Sequence, residues 1–206
     1  KNGIEFVSID TKTKKRSDNI DPASIQQKFA KKSYGKVGAN EHLSPNGKLA
    51  AYIDTYNLWV RNLETNQKTQ LTFDGIKDYG YATNNAGWTK ANNAVIKWSP
   101  NSDKIATFQQ DARGVGEMYL TSTGVGHQKL EAWKHPLPGD EKIFTIERII
   151  IHLGKRPKVV RLKMGKDVQR GSTTDHIAGR GGVLLDAQWK EDGTEFAFVS
   201  GSRDHK

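Results

Sequence analysis

One ten-residue phrase occurs three times in this chain. It reads LSPNGKLAAY over 43–52, WSPNSDKIAT over 98–107 and WKEDGTEFAF over 189–198, and the three copies align without a gap. Each copy joins a polar turn to a run of alternating apolar residues, which is the pattern of a β-strand. Repeated units of this kind cannot bury their apolar faces alone, so they stack on one another. The repeat therefore predicts an all-β fold built as a β-propeller.

The spacing of the copies is uneven. Their starts lie 55 and 91 residues apart, whereas propeller blades usually repeat at roughly 40–50 residues. The longer interval could hold an unmarked blade or one blade with long loops. We favour the second interpretation because the strand candidates in this part of the chain suffice for one blade. They are Ile105–Gln109, Val115–Leu120, Ile143–His152 and Val159–Met164.

Both ends of the chain fall inside a repeat. Because a propeller closes with roughly four to eight blades, we expect a fragment of one propeller domain from a longer protein. It should contain about two to three blades of four-stranded antiparallel sheet. The predicted parts are the end of a blade at 1–20, a helical insertion at 21–36, a blade at 43–97, a blade with long loops at 98–188 and the start of a further blade at 189–206.

A short helix is predicted at about 22–32. Asp21 is a good N-cap, and Pro22 suits the first helical position. Ile25 and Phe29 follow four residues apart, so they share one face of a helix. The helix would lie between two blades.

The composition argues against several kinds of site. The 206 residues include no cysteine, so disulfides and thiolate metal sites are absent. The six histidines lack the short paired spacing of a metal site. No glycine run has the strand and helix context of a dinucleotide site, and the apolar runs are too short to cross a bilayer. We expect no metal, no cofactor and no membrane span.

The net charge of +9 raises the question of nucleic-acid binding. Basic residues concentrate at Lys12–Arg16, Lys28–Lys36 and Lys155–Arg170. Nucleic-acid binding favours a coherent basic face with aromatic residues among the charges, and these runs contain few aromatics. The last run alternates apolar and basic residues, as a strand with one solvated face does. Nucleic acid is therefore a disfavoured partner.

Longer phrases lie between the repeats, and their order is specific. They are NLWVRNLETNQKTQLTFDG (57–75), YGYATNNAGW (79–88), VIKWSPNSDKIATFQQD (95–111), RGVGEMYL (113–120) and KHPLPGDEK (134–142). In this order they resemble the N-terminal β-propeller region of the dipeptidyl peptidase IV family, which are serine peptidases of the prolyl oligopeptidase clan. The resemblance implies a non-catalytic propeller that gates and helps bind peptide substrates for an α/β-hydrolase domain.

The chain itself contains no catalytic triad. No G-x-S-x-G nucleophile elbow occurs in it, and Ser44 and Ser99 are interpreted as turn residues. The resemblance implies that a later part of the same polypeptide supplies the hydrolase domain as a partner. It leaves room for a homodimer of the full-length protein, and it suggests a periplasmic or secreted location.

The resemblance also indicates where a peptide substrate would bind. The family carries a pair of adjacent glutamates, shortly before the W-S-P turn, that bind the free amino terminus of the substrate. The corresponding stretch here, Tyr81–Asn85, has no carboxylate, so Asp111 or Glu117 would have to bind the amine, or the substrates differ. The candidate substrate-binding residues are Tyr79, Tyr81, Asn84, Asn85, Trp88, Asp111, Arg113 and Glu117.

Two structural alternatives stand beside this site. The stretch 79–88 could be an inter-blade loop with Trp88 packed beneath it, and Arg113 and Glu117 could form an exposed ion pair. A second function is open as well, because the SPNGK-type turn is shared with TolB-like propellers. In that case the chain would be a protein-binding propeller with no enzymatic activity.

Overall fold

The computed structural model describes residues 7–10, 12–18, 21, 34–83, 93–169 and 184–201. These residues form antiparallel β-sheets and no helix, so the predicted all-β class is confirmed. The helix predicted at about 22–32 lies outside the described residues. The strands are β1 (Ser8–Ile9), β2 (Arg16–Ser17), β3 (His42–Leu43), β4 (Leu49–Asp54), β5 (Asn57–Asn62), β6 (Lys68–Gln70), β7 (Lys97–Trp98), β8 (Lys104–Asp111), β9 (Glu117–Thr121), β10 (Leu130–Lys134), β11 (Thr145–His152), β12 (Lys158–Arg161), β13 (Asp167–Val168), β14 (Ala187–Trp189) and β15 (Phe196–Phe198).

The chain divides into two compact units, Lys1–Lys32 and Ser33–Lys206. In the first unit β1 and β2 form a hairpin, with Ser8 opposite Ser17. The Asp10 carboxylate accepts hydrogen bonds from the backbone N–H groups of Lys12 and Thr13 at 2.8 and 3.0 Å. An aspartate that bonds to the backbone two and three residues on is a common turn former, and it accounts for the polar turn after β1.

In the second unit, β3, β4, β5 and β6 form a four-stranded sheet in chain order. Short turns join neighbouring strands, so each strand pairs with the one before it. The face that carries Leu49, Ala51 and Ile53 on β4 and Leu58 and Val60 on β5 joins the main core. The alternation with period two brings these five apolar side chains to one side of the sheet.

A second sheet has the strand order β12-β11-β8-β7, and β13 pairs with the first residues of β11. Its two long central strands, β8 and β11, pair over eight residues, from Lys104 opposite His152 to Asp111 opposite Thr145. Ile105, Ile149 and Ile151 lie on the face that packs against the first sheet. The two sheets therefore share one apolar core.

The strand predicted at Val115–Leu120 forms, but it does not join this sheet. Instead β9 pairs with β10, from Glu117 opposite Lys134 to Thr121 opposite Leu130, as a separate two-stranded ribbon. Every side chain of β9 is exposed, so nothing draws this strand onto the second sheet. The edge strand beside β8 is β7, which precedes Ile105–Gln109 in the chain. The ribbon is an insertion between β8 and β11.

The three repeats have the same backbone geometry. The fifth residue of each copy is left-handed, with φ values of 75° at Gly47, 63° at Ser102 and 69° at Gly193. In each copy the second residue donates its N–H to the carbonyl of the seventh, at 2.8, 2.9 and 3.0 Å in chain order. A left-handed residue closes a tight turn between antiparallel strands, so each repeat is one turn between two paired strands.

The two serines of the repeats act within these turns. Ser44 and Ser99 are fully buried. The Ser44 hydroxyl accepts the Leu49 N–H at 3.0 Å and donates to Asn46, and Ser99 makes the equivalent bonds to Lys104 and Asp103. Their interpretation as turn residues is confirmed.

Candidate functional site

The face of the second sheet that packs against the first sheet changes from apolar to polar along its strands; we call it the shared face. At one end it carries Ile105 and Ile151, which belong to the core. At the other end Gln109 lies opposite Glu147, and Asp111 follows on the same face of β8. Because side chains alternate between faces, the same period that buries the isoleucines also brings these polar groups together. The polar end is the candidate site.

The buried side chain of Asn57 positions the loop that places Asp74 at this site. The Asn57 side chain donates to the carbonyls of Thr55 and Gly75 at 3.0 and 3.2 Å, and its oxygen accepts from Thr72 and from the Gly75 N–H. A Cβ on Gly75 would lie 2.2 Å from the Tyr56 carbonyl oxygen. Only glycine fits this close approach, and the loop geometry depends on it.

The segment 78–82 runs alongside the end of β8. Tyr81 donates its N–H to the Tyr56 carbonyl, while Gln110 and Ala112 of the β8 region donate theirs to Gly80 and Asp78, all at 2.8 Å. These bonds tie the segment to the β4–β5 turn of the first sheet and to β8 of the second sheet. They bring Tyr79 and Tyr81 next to the polar end of the shared face.

One half of the site is centred on Tyr81. Its hydroxyl donates to the Asp74 carboxylate at 2.6 Å and accepts from the Arg161 guanidinium at 2.8 Å. The same Arg161 nitrogen donates to Gln109 at 2.6 Å. Burial, followed by the hydrogen bond to Asp74, raises the pKa of the Tyr81 hydroxyl well above its ordinary value. Tyr81 therefore stays neutral and acts as a hydrogen-bonding link.

The other half is centred on Asp111. Arg113 makes two hydrogen bonds of 2.9 Å to its carboxylate, and Lys166 adds one of 3.1 Å. The Arg113 guanidinium also lies over the Tyr79 ring, 3.9 Å from its centroid. The hydrogen bonds from Arg113, and then from Lys166, hold the pKa of the Asp111 carboxyl well below its usual range. Asp111 is thus ionised, and its carboxylate is hydrogen-bonded to two cationic side chains.

Glu147 joins the two halves. Its carboxylate lies 2.9 Å from an Arg161 nitrogen and 3.3 Å from the Lys166 ammonium. The result is a continuous chain of charged and phenolic groups, which we call the ionic network. Its members are Tyr79, Arg113, Asp111, Lys166, Glu147, Arg161, Tyr81 and Asp74.

The structure brings together four of the predicted site residues, namely Tyr79, Tyr81, Asp111 and Arg113. Glu117 is not among them, because its carboxylate accepts a hydrogen bond from Tyr119 at 2.9 Å on the exposed ribbon. Arg113 pairs with Asp111 and not with Glu117, so the alternative of an Arg113–Glu117 ion pair is wrong. Asn84, Asn85 and Trp88 lie outside the described residues.

Four members of the network were missed from the sequence. They are Asp74, Glu147, Arg161 and Lys166. The alternation along β11 would have placed Glu147 on the same face as two core isoleucines. Arg161 lies close to Tyr81, which is 80 positions away in the chain. No pattern in the sequence near either residue predicts this contact, because it depends on the register in which the strands pair.

A neutral polar chain lies below the network. The Gln110 amide donates to Gln169 at 2.5 Å, and the Thr83 hydroxyl lies 3.4 Å from both Gln110 and the Gly80 carbonyl. All three side chains are buried. Thr83 belongs to the stretch in which the resemblance implies acidic residues, and the described structure around it offers amides and a hydroxyl instead.

Neither a metal cluster nor a membrane-spanning helix is found in the described part of the chain. No three of its His, Asp and Glu side chains are grouped to hold a metal ion. None of its elements is a helix long and apolar enough to cross a membrane.

The fold and the comparisons together define the class of protein. A four-stranded and a five-stranded antiparallel sheet, each containing one turn-and-strand repeat, pack against a shared core, which is the arrangement of neighbouring sheets in a β-propeller region. The chain belongs to the family described as the dipeptidyl peptidase IV (DPP IV) N-terminal region, whose model matches residues 12–206. The resemblance that the sequence phrases carry is therefore confirmed. A comparison with curated protein sequences finds no match.

Two solved structures are similar to the chain. A Bacteroides ovatus protein assigned as a dipeptidyl aminopeptidase IV matches with 16% identity and a TM-score of 0.54, over 97% of this chain and 24% of that one. The dipeptidyl peptidase 4 of Porphyromonas gingivalis matches with 18% identity and a TM-score of 0.48, over 61% of this chain and 18% of that one. The chain thus spans about a quarter or less of the length of these proteins.

Proposed function

We propose that this chain is the non-catalytic propeller portion of a serine peptidase that resembles dipeptidyl peptidase IV. In this role it binds peptide substrates and gates their access to an α/β-hydrolase domain in a later part of the polypeptide. The observation that carries the proposal is the ionic network, which joins Tyr79 and Tyr81 to Asp111 and Arg113 within a chain of the dipeptidyl peptidase IV N-terminal family.

The chemistry of the network suits a peptide ligand. A peptide backbone offers carbonyl acceptors and N–H donors, and the network presents guanidinium, ammonium, carboxylate and phenol groups that complement both. The half-buried ring of Tyr79 adds apolar contact area beside the polar groups. The two sheets that carry the network hold its side chains in place. The hydrogen bonds of the Asn57 side chain position the Asp74 loop, and the long β8–β11 pairing positions the strand residues. Such pre-organisation lowers the cost of binding.

A labelling experiment tests this function. A serine-reactive phosphonate probe should label the full-length protein and leave the 206-residue chain unlabelled, because the chain contains no nucleophile elbow. The sequence that follows Lys206 should contain G-x-S-x-G and then the aspartate and histidine of a triad. A full-length protein with neither feature would overturn the peptidase proposal.

A protein-binding propeller of the TolB-like type is the second candidate. The observation that favours it is the ribbon of β9 and β10, which exposes Met118, Tyr119, Leu120 and Leu130 to solvent. Exposed apolar side chains on a two-stranded ribbon are typical of a surface that another protein covers. An absent hydrolase domain together with a stable protein complex would support this candidate.

The cellular location is also a proposal. A propeller that prepares peptides for hydrolysis fits the periplasm or the cell exterior, where peptide nutrients arrive. Fractionation of the source cells, with an antibody against the chain, would place the full-length protein. Recovery with the cytosolic fraction would contradict the proposal.

A further inference from the structure

The ionic network is electrically balanced, but its two signs are not equally exposed. Asp74, Glu147 and Asp111 are matched by Arg161, Lys166 and Arg113. The Arg113 side chain is 52% exposed and that of Lys166 is 43% exposed, whereas the Asp111 carboxylate between them is 17% exposed. At the Arg113 end of the network, therefore, the two cations are exposed to solvent and the carboxylate is largely buried.

The two cations lie side by side. Arg113 Nη2 and Lys166 Nζ are 2.9 and 3.1 Å from the same Asp111 oxygen, Oδ2. Arg113 uses Nε and Nη2 for this carboxylate, and its Nη1 makes no hydrogen bond within the described part of the chain. Because the guanidinium makes two hydrogen bonds to Asp111 and lies over the Tyr79 ring, its remaining donor is held in a fixed orientation.

The Arg113 end of the network offers little to an ammonium group. Asp111 already holds two cations, and Glu147 also holds two, Arg161 and Lys166. The stretch 82–92, which follows Tyr81 in the sequence, contains no aspartate or glutamate and one lysine. An ammonium would therefore have to compete with bound guanidinium and ammonium groups, which costs the interactions they already make.

We propose that Tyr79, Arg113 and Lys166 form an anion subsite that binds a carboxylate of an acidic peptide. This inference rests on the proposed function, because it specifies the peptide class that the same site accepts. A carboxylate can accept from Arg113 Nη1, which has no partner among the described residues, and from Lys166, and charge-assisted hydrogen bonds of this kind are short and strong. The basic character of the whole chain, with a net charge of +9, also attracts an acidic ligand.

Binding of matched peptides to the full-length protein tests the subsite. Two peptides that differ only by Glu or Gln at one position, both acetylated and amidated, are titrated by calorimetry. We expect the Glu peptide to bind about tenfold more tightly, and the preference to shrink as salt is added. A third peptide with a free amino terminus should gain no affinity over its acetylated form.

Four variants separate the subsite from the general charge of the protein. Arg113→Gln and Lys166→Gln should each remove most of the preference for the Glu peptide. Lys158→Gln makes the same change in charge at an exposed position of β12 and should keep the preference. Because both subsite residues are partly exposed, the variants should fold, and a circular dichroism spectrum checks this. Arg113→Lys keeps the charge but loses the planar donor pair, so it should retain part of the preference.

The outcomes distinguish the inference from the function on which it rests. Equal binding of the Glu and Gln peptides, a clear gain from a free amino terminus or an equal loss in Lys158→Gln would overturn the anion subsite and leave the peptide-binding propeller standing. Failure of the full-length protein to bind any of the peptides would overturn the proposed function and the subsite with it.

Discussion

The indole nitrogen of Trp189 donates a 3.1 Å hydrogen bond to the carbonyl oxygen of Lys97, the residue before Trp98 in the preceding repeat. Trp98 donates an equivalent bond, also 3.1 Å long, to the carbonyl of His42. The second and third repeats thus each hydrogen-bond their first residue, a tryptophan, to an edge strand of the sheet before it. Both tryptophans are packing residues of the fold, since Trp189 is buried and Trp98 packs against the main core.

Replacing Trp189 by Phe should lower the free energy of unfolding by about 1–2 kcal/mol. The substitution keeps an aromatic ring against Phe196 but leaves the Lys97 carbonyl without its indole donor. Urea denaturation of the two proteins measures the difference. Phe73→Leu, at an exposed position, is the control and should stay within about 0.5 kcal/mol of the parent. Equal stability of all three would contradict the inter-repeat bond.

Ser102 provides a test of the left-handed position in the repeat. It occupies the place of Gly47 and Gly193 at a φ of 63°, while its hydroxyl accepts the Asn46 N–H at 3.0 Å. Ser102→Ala loses the hydrogen bond and keeps the strain, so it should destabilise by about 1 kcal/mol. Ser102→Gly loses the same bond but relieves the strain, so it should be about 1 kcal/mol more stable than the alanine variant. Because neither variant has the hydroxyl, thermal denaturation of the alanine and glycine variants measures the cost of the left-handed backbone conformation at residue 102.

Gly75→Ala should disturb the ionic network from a distance. The added Cβ would meet the Tyr56 carbonyl oxygen at 2.2 Å, so the loop must move and carry Asp74 away from Tyr81. We expect a destabilisation of about 1–3 kcal/mol and weaker peptide binding. Gly154→Ala is the matched control, because a Cβ there meets no atom within 4 Å. A Gly75→Ala protein that matches this control in stability would contradict the close approach.

The Glu41–Arg61 pair predicts a pH dependence of stability. The hydrogen bond from Arg61 lowers the pKa of Glu41 from its ordinary value of 4.5, and both side chains are largely buried. A carboxyl whose pKa is lowered by folding stabilises the protein fully above its unfolded pKa, and the contribution is lost as the pH falls through the folded value. The loss should therefore occur below pH 4.5.

Glu41→Gln tests this assignment. The variant should be less stable than the parent at neutral pH, and the difference should shrink as the pH is lowered towards about pH 3. Melting temperatures across this range measure both effects. A difference that stays constant with pH would show that the ionised form of Glu41 does not stabilise the fold.

The double substitution of Asn84 and Asn85 by Glu tests the substrate site that the family resemblance implies. Two carboxylates in the stretch 81–85 should favour peptides with a free amino terminus, because they supply the charge that the amides lack. Matched free and acetylated peptides, assayed with the full-length protein, measure the shift. Asn40→Glu, at an exposed position, controls for added charge. The absence of a shift would count against this assignment.

Much of the fold follows from local patterns. The phrase LSPNGKLAAY contains its own turn, its own strand and the glycine that the left-handed position requires, so its neighbours in the chain suffice to predict it. The same reasoning holds for β8 and β11, whose alternating apolar residues predict two buried strands. The separate ribbon of β9 and β10 was not predicted, because β9 carries strand-forming residues and only the tertiary structure shows that no sheet covers them.

The candidate site divides along the same line. Tyr79, Tyr81, Asp111 and Arg113 could be selected from the sequence because they lie in phrases that resemble a known family. Their partners Glu147, Arg161 and Lys166 could not, because Lys166 meets Asp111 across 55 positions and Arg161 meets Tyr81 across 80.

By itself, therefore, the sequence determined the repeat unit, the all-β class and the family, and the tertiary structure decided which charges meet. The physical reason is that turn sterics and the two-residue period of a strand act between near neighbours in the chain. The pairing of distant charges depends on strand register and loop closure, which are set only when the two sheets pack together.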